Sequence, residues 1–246
     1  MADDQHEFMA QNRAAAAAMR ADEDIRRRAV QLAIDANGYR QVYQYSWLGI
    51  PIIQIPHDVV AFQEIVWRER PTVIVETGVA RGGSVILSAS LLQLLGHGRV
   101  IGIDVDIRAH NRQRIEGHPL AHRIDLVEGS SVAQHIVDDV RRRIAPDDRV
   151  MVVLDSNHTH DHVLAELRAY GPMVSEGQYL VVADTLVEAG TAEYFADRPW
   201  GPGDNPATAL RQYLSECDDF TVDEDLDAKL LMTSNPRGYL RRVKRG

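Results

Sequence analysis

VIVETGVARGGS, residues 73–84, decides the fold of this chain. The β-branched run Val73-Ile74-Val75 ends at Glu76, as a strand buried on both faces does. Gly78, Gly82 and Gly83 then form a turn, and Ser84 opens a helical stretch from Val85 to Leu95. A second apolar run, Val100 to Ile103, ends at Asp104. The order is strand, turn, helix, strand, with an acid at the tip of the second strand. Glycines let a backbone approach its ligand, and an acid at that tip accepts hydrogen bonds from ribose hydroxyls. The unit points to a nucleoside-bearing cofactor.

The spacing of the glycines narrows the choice. A dinucleotide turn reads G-x-G-x-x-G, so that the pyrophosphate meets a helix N-terminus. Here Ala80 stands two residues after Gly78, and the next glycines are Gly82 and Gly83. The looser E-x-G-x-x-x-G-G-S pattern resembles the first motif of class I S-adenosylmethionine-dependent methyltransferases, whose ligand has no phosphate there. Candidate cofactor contacts are Glu76, Gly78, Arg81, Gly82, Gly83, Ser84, Asp104, Ser130 and Asp155. A nicotinamide-dependent oxidoreductase on the same fold is the competing class, and an ordinary βα turn with a solvated acid is the plainer alternative.

Composition bounds the answer. At 246 residues, 45% hydrophobic and 26% charged, the chain fits one large α/β domain with a modest appendage. A net charge of −9 argues against nucleic acid as a partner, because a surface that grips phosphates is basic. The basic runs Arg26–Arg28, Arg141–Arg143 and Arg241, Arg242, Lys244, Arg245 lie near acids or at a terminus and read as solvated faces. The single Cys217 excludes an intramolecular disulfide and a cysteine zinc cage. There is no leader pattern and no apolar run of membrane-spanning length, so a cytoplasmic location is expected.

Along the chain, residues 1–35 are rich in Ala, Arg, Glu and Asp and favour helix, with Asn37-Gly38 as a stop and disorder expected over the first dozen residues. Residues 39–58 are aromatic and broken by Pro51 and Pro56. They read either as a connector whose aromatics plug the domain surface or as a lid whose Tyr43, Tyr45 and Trp47 stack on an apolar or sugar face. Residues 1–58 are accordingly expected to form a helical extension and lid, and 59–246 the catalytic domain. After the cofactor unit, apolar strands alternate with helices: IDLVEGSS (124–131), RVMVVLDS (149–156) and GQYLVVADT (177–185). The alternation predicts a Rossmann-like, mostly parallel sheet with ligands at the carboxyl ends of its strands. Residues 189–206, rich in Gly and Pro, form a loop too long for a routine link, followed by a helix capped by Asp204 or Asn205. The close is expected to hold two antiparallel strands, FTVD and KLLMT, a turn at Asn235–Gly238, and a final extended YLRRV.

The core strands end in Glu76, Asp104, Gly129-Ser130, Asp155 and Asp184, which a parallel sheet places along one rim. Two carboxylates meeting in a dry cleft repel unless a proton or cation lies between them. Asp155 and Asp184 therefore read as Mg2+ ligands, with Thr185 or Glu188 as a further oxygen; the alternative is that both aspartates cap helices. In DSNHTHDHV, residues 155–163, His158 can turn back over the metal as general base, with His160 and His162 as alternates. Zinc is disfavoured for want of further His or Cys ligands.

With these residues in hand, the chain resembles the cephalosporin hydroxylase/rhamnosyl O-methyltransferase family over Tyr39–Val243. The carriers are WLGI, RPTVIVETGVARGGS, VIGIDVDI, LVEGSS, VVLDSNHTHDHV, YLVVADT, PWGPGDNPATAL and LLMTSNPRGYLRR. The resemblance implies an S-adenosylmethionine- and Mg2+-dependent O-methyltransferase laid out like catechol methyltransferases. It implies metal ligands at Asp155, Asp184 and the adjoining Thr185, and a base at His158. Ala183 stands where some relatives carry an acid. The implied acceptor is a sugar hydroxyl of a glycoside, oligosaccharide or glycolipid, or in other members an antibiotic precursor. Tyr45, Trp47, Glu193, Trp200 and Asp204 are the expected acceptor contacts, and helical extensions in relatives imply a homo-oligomer. An iron-dependent hydroxylase, as the family label suggests, would need two His and a carboxylate.

Overall fold

The computed structural model describes residues 2–243; Lys244 and Arg245 of the last basic run lie outside them. The Ala-rich start is not disordered but forms α1 (Ala2–Ala21), as the helix propensity of Ala14–Ala18 dictates. Arg20 at its end pairs with Glu224 and Asp227, tying the helix to the far end of the chain. Asp22 caps α2 (Glu23–Asn37) by accepting the backbone N–H groups of Asp24 and Ile25, and Gly38 closes it. The aromatic segment makes a small hairpin, β1 (Tyr45–Trp47) and β2 (Ile50–Ile52), turning at Leu48-Gly49. Then α3 (Pro56–Glu69) leads into β3 (Val73–Thr77).

The βα units follow as expected: α4 (Gly83–Leu95), β4 (Arg99–Asp104), α5 (Ala109–Glu116), β5 (Ile124–Glu128), α6 (Gln134–Arg143), β6 (Val150–Leu154), α7 (His160–Tyr170) and β7 (Tyr179–Val182). Asn205, not Asp204, caps α8 (Pro206–Glu216) through a reciprocal bond with Thr208. The close departs from expectation. FTVD supplies β8 (Phe220–Val222), but KLLMT is not a strand. Asp223 accepts the N–H of Leu226 and starts a short helix, α9 (Glu224–Lys229), whose acidic first turn suits the positive helix end. The partner of β8 is instead β9 (Tyr239–Arg242).

The seven-stranded sheet runs β5-β4-β3-β6-β7-β9-β8. Its first five strands are parallel, and β9 is antiparallel to both neighbours. Apolar residues alternate between two buried faces. Val73, Val75 and Val152 pack toward α6, α7 and α8, whereas Ile74, Val100 and Met151 pack toward α3 and α4. This is the α/β, Rossmann-like, mostly parallel architecture that the sequence predicts. Strand order reverses at β3, which pairs with β4 on one side and β6 on the other, and a ligand crevice opens outside the strand ends at such a point. Among the described residues no helix is long and apolar enough to cross a membrane.

Candidate active site

A cavity of about 530 Å³ lies over the carboxyl ends of β3, β6 and β7, lined by residues of the glycine turn together with Asp155, His158 and Asp184. The turn is built by close approaches within the protein. Gly78 has φ +91°, and a Cβ there would lie 1.9 Å from the backbone oxygen of Asp155. A Cβ on Gly83 would lie 2.3 Å from the Pro51 oxygen. These glycines therefore hold the βα turn against β6 and the hairpin, as well as leaving its rim open to a ligand.

Gly78, Arg81, Gly83, Ser84 and Asp155 line the cavity; Glu76, Gly82, Asp104 and Ser130 do not. Asp104 Oδ2 accepts the N–H groups of Val79 and Ala80, each at 2.9 Å, so its carboxylate tethers the glycine turn. Glu76 is buried beneath the turn, where its Oε2 accepts the Ser88 hydroxyl at 3.3 Å. Burial pushes its carboxyl up to about 7, against the opposing pull of the Ser84 and Ser88 hydroxyls.

One group among the described residues could hold a metal ion: Asp155, His158 and Asp184 each offer a ligand atom, all within 4.8 Å of one another. His158 Nε2 lies 3.2 Å from Asp184 Oδ2. Burial first, and then the charge of Asp184, lift the Asp155 carboxyl well above the usual carboxylate range. A cation between the two aspartates would remove that repulsion, and a donor set with two carboxylates and open positions fits a divalent ion. Neither aspartate acts as a side-chain helix cap: Thr159 precedes α7, and the turn after Asp184 has no side-chain cap bond. Gln54, a residue that no sequence pattern singled out, donates to Asp155 Oδ2 at 3.3 Å.

The three histidines separate cleanly. Only His158 lines the cavity. His160 bonds to Thr208 and Gln212 on α8. His162 sits within 3.1 Å of the Ser131 and Ser156 hydroxyls and 3.5 Å from buried Glu166, joining the loops after β5 and β6. Thr185 does not reach the metal group, because its buried hydroxyl donates to the Pro236 carbonyl at 2.8 Å. Glu188 is likewise engaged, by Gly203, Asn205 and Arg211.

Of the expected acceptor contacts, Trp200 is in the cavity, edge-on to His158 with ring centroids 4.8 Å apart and Arg198 over its face. The other four are elsewhere. Trp47 donates to Ser90 on α4 at 2.9 Å, and Tyr45 accepts from Gln41 at 2.7 Å. Asp204 accepts the His160 N–H at the start of α7, and Glu193 is exposed outside the lining. Tyr43, the one of Tyr43, Tyr45 and Trp47 that does line the cavity, is joined there by Asn37, Tyr194 and Phe195.

The chain matches the family described as Rhamnosyl O-methyltransferase/CmcI over residues 39–243. A rhamnosyl O-methyltransferase of Mycobacterium bovis (strain BCG / Pasteur 1173P2) is 30% identical over 199 residues, covering 79% of this chain and 77% of the relative. Among solved structures, CmcI solved with Mg and SAM superposes with a TM-score of 0.57 at 22% identity, over 82% of this chain and 78% of that one. The O-methyltransferase TomG from Streptomyces achromogenes, in complex with SAM, has a TM-score of 0.53 at 19% identity, over 78% and 80% of the two chains. Those structures share the fold. From the family match and the mycobacterial relative, the chain belongs to the rhamnosyl O-methyltransferase/CmcI family.

Proposed function

We propose that this chain transfers the methyl group of S-adenosylmethionine to a sugar hydroxyl of a glycoside, oligosaccharide or glycolipid, with Mg2+ at Asp155 and Asp184. The observation that carries the reading is the convergence of Asp155, His158 and Asp184 in the cavity that the glycine turn lines. The family to which the chain belongs, with a rhamnosyl O-methyltransferase among its relatives, supports a sugar acceptor.

An alcohol is a poor nucleophile at neutral pH, so the proton must have somewhere to go. His158 Nε2 is the acceptor for it, and Asp184 beside it stabilises the imidazolium that results. Mg2+, when bound, supplies the positive charge that lowers the hydroxyl pKa and fixes its direction. Gly78, Arg81, Gly83 and Ser84, the residues of the glycine turn that line the cavity, would hold the donor. The oxygen–carbon bond then forms as the carbon–sulfur bond breaks, leaving a methyl ether, S-adenosylhomocysteine and a proton on His158. Holding both reactants in line contributes roughly 7–11 kcal/mol in favourable cases. Trp200 packs edge-on against His158 and would restrict water on that side.

S-adenosylmethionine is a cytoplasmic metabolite, so we place the reaction in that compartment; we also propose a homo-oligomer, to be checked by light scattering. The activity test is transfer of labelled methyl to candidate sugars, with Mg2+, with chelator, and with Asp155→Ala. Transfer that survives chelator and substitution alike removes the metal from the mechanism. A larger thermal shift with NAD than with S-adenosylhomocysteine would favour the oxidoreductase class instead.

A further inference from the structure

We propose that Glu188 is a positioning residue that holds Trp200 against His158 by tying together the two ends of the 190–203 loop. The inference rests on the reading of His158 as the base. The loop leaves the short helical turn Thr185–Ala189 and returns just before α8. Residues 191–194 and 196–199 are exposed, whereas Phe195 and Trp200 are half-buried. A loop with so little of its length packed is held by its ends rather than by a core of its own.

Glu188 stands at the near end, and its carboxylate collects the far end. Oε2 accepts the Gly203 N–H at 2.9 Å and the Asn205 side-chain amide, and Oε1 accepts from Arg211 on α8 at 3.0 Å. The Gly203 N–H, helped by Asn205 and Arg211, keeps this carboxyl below its usual range against the effect of partial burial. The acceptor is therefore ionised at neutral pH, and its hydrogen bonds are charge-assisted. The far end is also closed on itself. Gly201 and Asp204 exchange backbone hydrogen bonds at 2.9 and 3.0 Å, and Asn205 donates to the Gly201 carbonyl at 2.8 Å.

Trp200 immediately precedes this closed turn, so fixing Gly201 fixes where the indole begins. The indole meets the His158 ring at 87°, with centroids 4.8 Å apart, while His158 Nε2 faces Asp184. The imidazole thus has the indole against one side and a carboxylate at its nitrogen. Glu188 itself is not part of the cavity lining, so its effect on the base runs through the loop. Without the carboxylate the loop loses the bonds that join its ends, and the indole can leave the imidazole.

The test reads the covering of His158 directly and needs no acceptor. The full chain, without metal, is labelled with 5-fluorotryptophan, so that Trp47, Trp67 and Trp200 each give a 19F resonance, assigned with Trp200→Phe. Carbethoxylation of His158 by diethyl pyrocarbonate is followed by peptide mass spectrometry, with exposed His110 and His135 as internal references. Glu188→Ala should move the Trp200 resonance, leave those of Trp47 and Trp67 in place, and speed His158 modification about fivefold or more, because reagent attack tracks the population of the open loop. Trp200→Ala should do the same to His158, with the reference histidines unchanged in both. Glu188→Gln, whose amide oxygen still accepts the Gly203 N–H, should retain the wild-type resonance and rate. Glu188→Asp, which keeps the charge on a shorter arm, should fall between, and it carries the test if the Ala variant shifts all three resonances. An unchanged Trp200 resonance and His158 rate in the Ala and Asp variants overturn the proposal. A Gln variant as fast as the Ala variant overturns it too, as does a Trp200→Ala rate equal to wild type. Calorimetry with S-adenosylhomocysteine scores the methyltransferase reading separately: a wild type that fails to bind it overturns that reading and the reaction Glu188 would serve, whatever the loop measurements give.

Discussion

His158 Nε2 stands 3.2 Å from Asp184 Oδ2, so the histidine that faces the cavity is paired with an acid from the neighbouring strand. Asp184 is held in a left-handed backbone conformation, φ 56°, and its N–H donates to Asn235 Oδ1 at 3.0 Å. The pair thus has a fixed geometry, with one partner from the end of β6 and the other from the end of β7.

That pairing predicts the cost of losing the base. His158→Ala should lower kcat by roughly 10²–10⁴-fold, the range of general base catalysis, with donor affinity unchanged. Single-turnover transfer of labelled methyl, set beside calorimetry of S-adenosylhomocysteine, checks it. A loss smaller than tenfold would assign proton removal to another group.

Asp155→Asn should separate stability from activity. Burial and Asp184 hold the Asp155 carboxyl above its unfolded value. Between the two values the folded chain binds more protons than the unfolded chain, so stability falls as pH rises through that window. Without metal, the Asn variant should melt above wild type at pH 8, and the difference should shrink toward pH 4. Wild type should gain melting temperature on Mg2+ addition and the variant should not. Equal Mg2+ responses by scanning fluorimetry would contradict the assignment.

Glu76→Gln carries the same sign in a better-defined window. The carboxyl is raised from 4.5 to about 7 by burial, so its ionisation opposes folding increasingly between those pH values and constantly above them. Removing that cost should stabilise the chain at pH 8 by at most roughly 3 kcal/mol. At pH 4, where the carboxyl is protonated in both states, the gain should vanish. Denaturant melts at the two pH values measure it.

Gly78→Ala should damage stability and chemistry together. The new Cβ would meet the Asp155 carbonyl, and φ +91° strains any L side chain. A loss on the order of 2–4 kcal/mol is expected, with weaker Mg2+ binding because Asp155 must move. Gly203→Ala is the control: φ is +88° there, but nothing lies within 4 Å of a Cβ, so it should cost less and spare the metal.

The sheet was readable because its strands are continuous apolar runs ending in acids, and Asp155, His158 and Asp184 were readable because strand ends in a parallel sheet share a rim. The local signals failed where long-range contacts decide. KLLMT has strand composition, yet the Asp223 cap starts a helix just before it. Tyr45 and Trp47 looked like ligand contacts, yet their polar atoms meet Gln41 and Ser90. Asp204, placed among the acceptor contacts, instead bonds to an amide 44 residues earlier in the chain. Gln54 and Asn37 carry no pattern of their own; only the folded chain brings the first to Asp155 and the second to the cavity wall.

The segment between Thr233 and Tyr239 has a bearing on biosynthesis. Asn235 receives the Asp184 amide, Pro236 receives the Thr185 hydroxyl, and buried Asp58 gathers Thr233, Ser234 and Tyr239 around it. β7 gains its outer neighbour only when β9 pairs with it. During synthesis, the edge of β7, the strand just before Asp184, stays unpaired until residues 239–242 have been made. The loop that carries Asp184 therefore has its full set of contacts only once residues 233–242 have docked beside it.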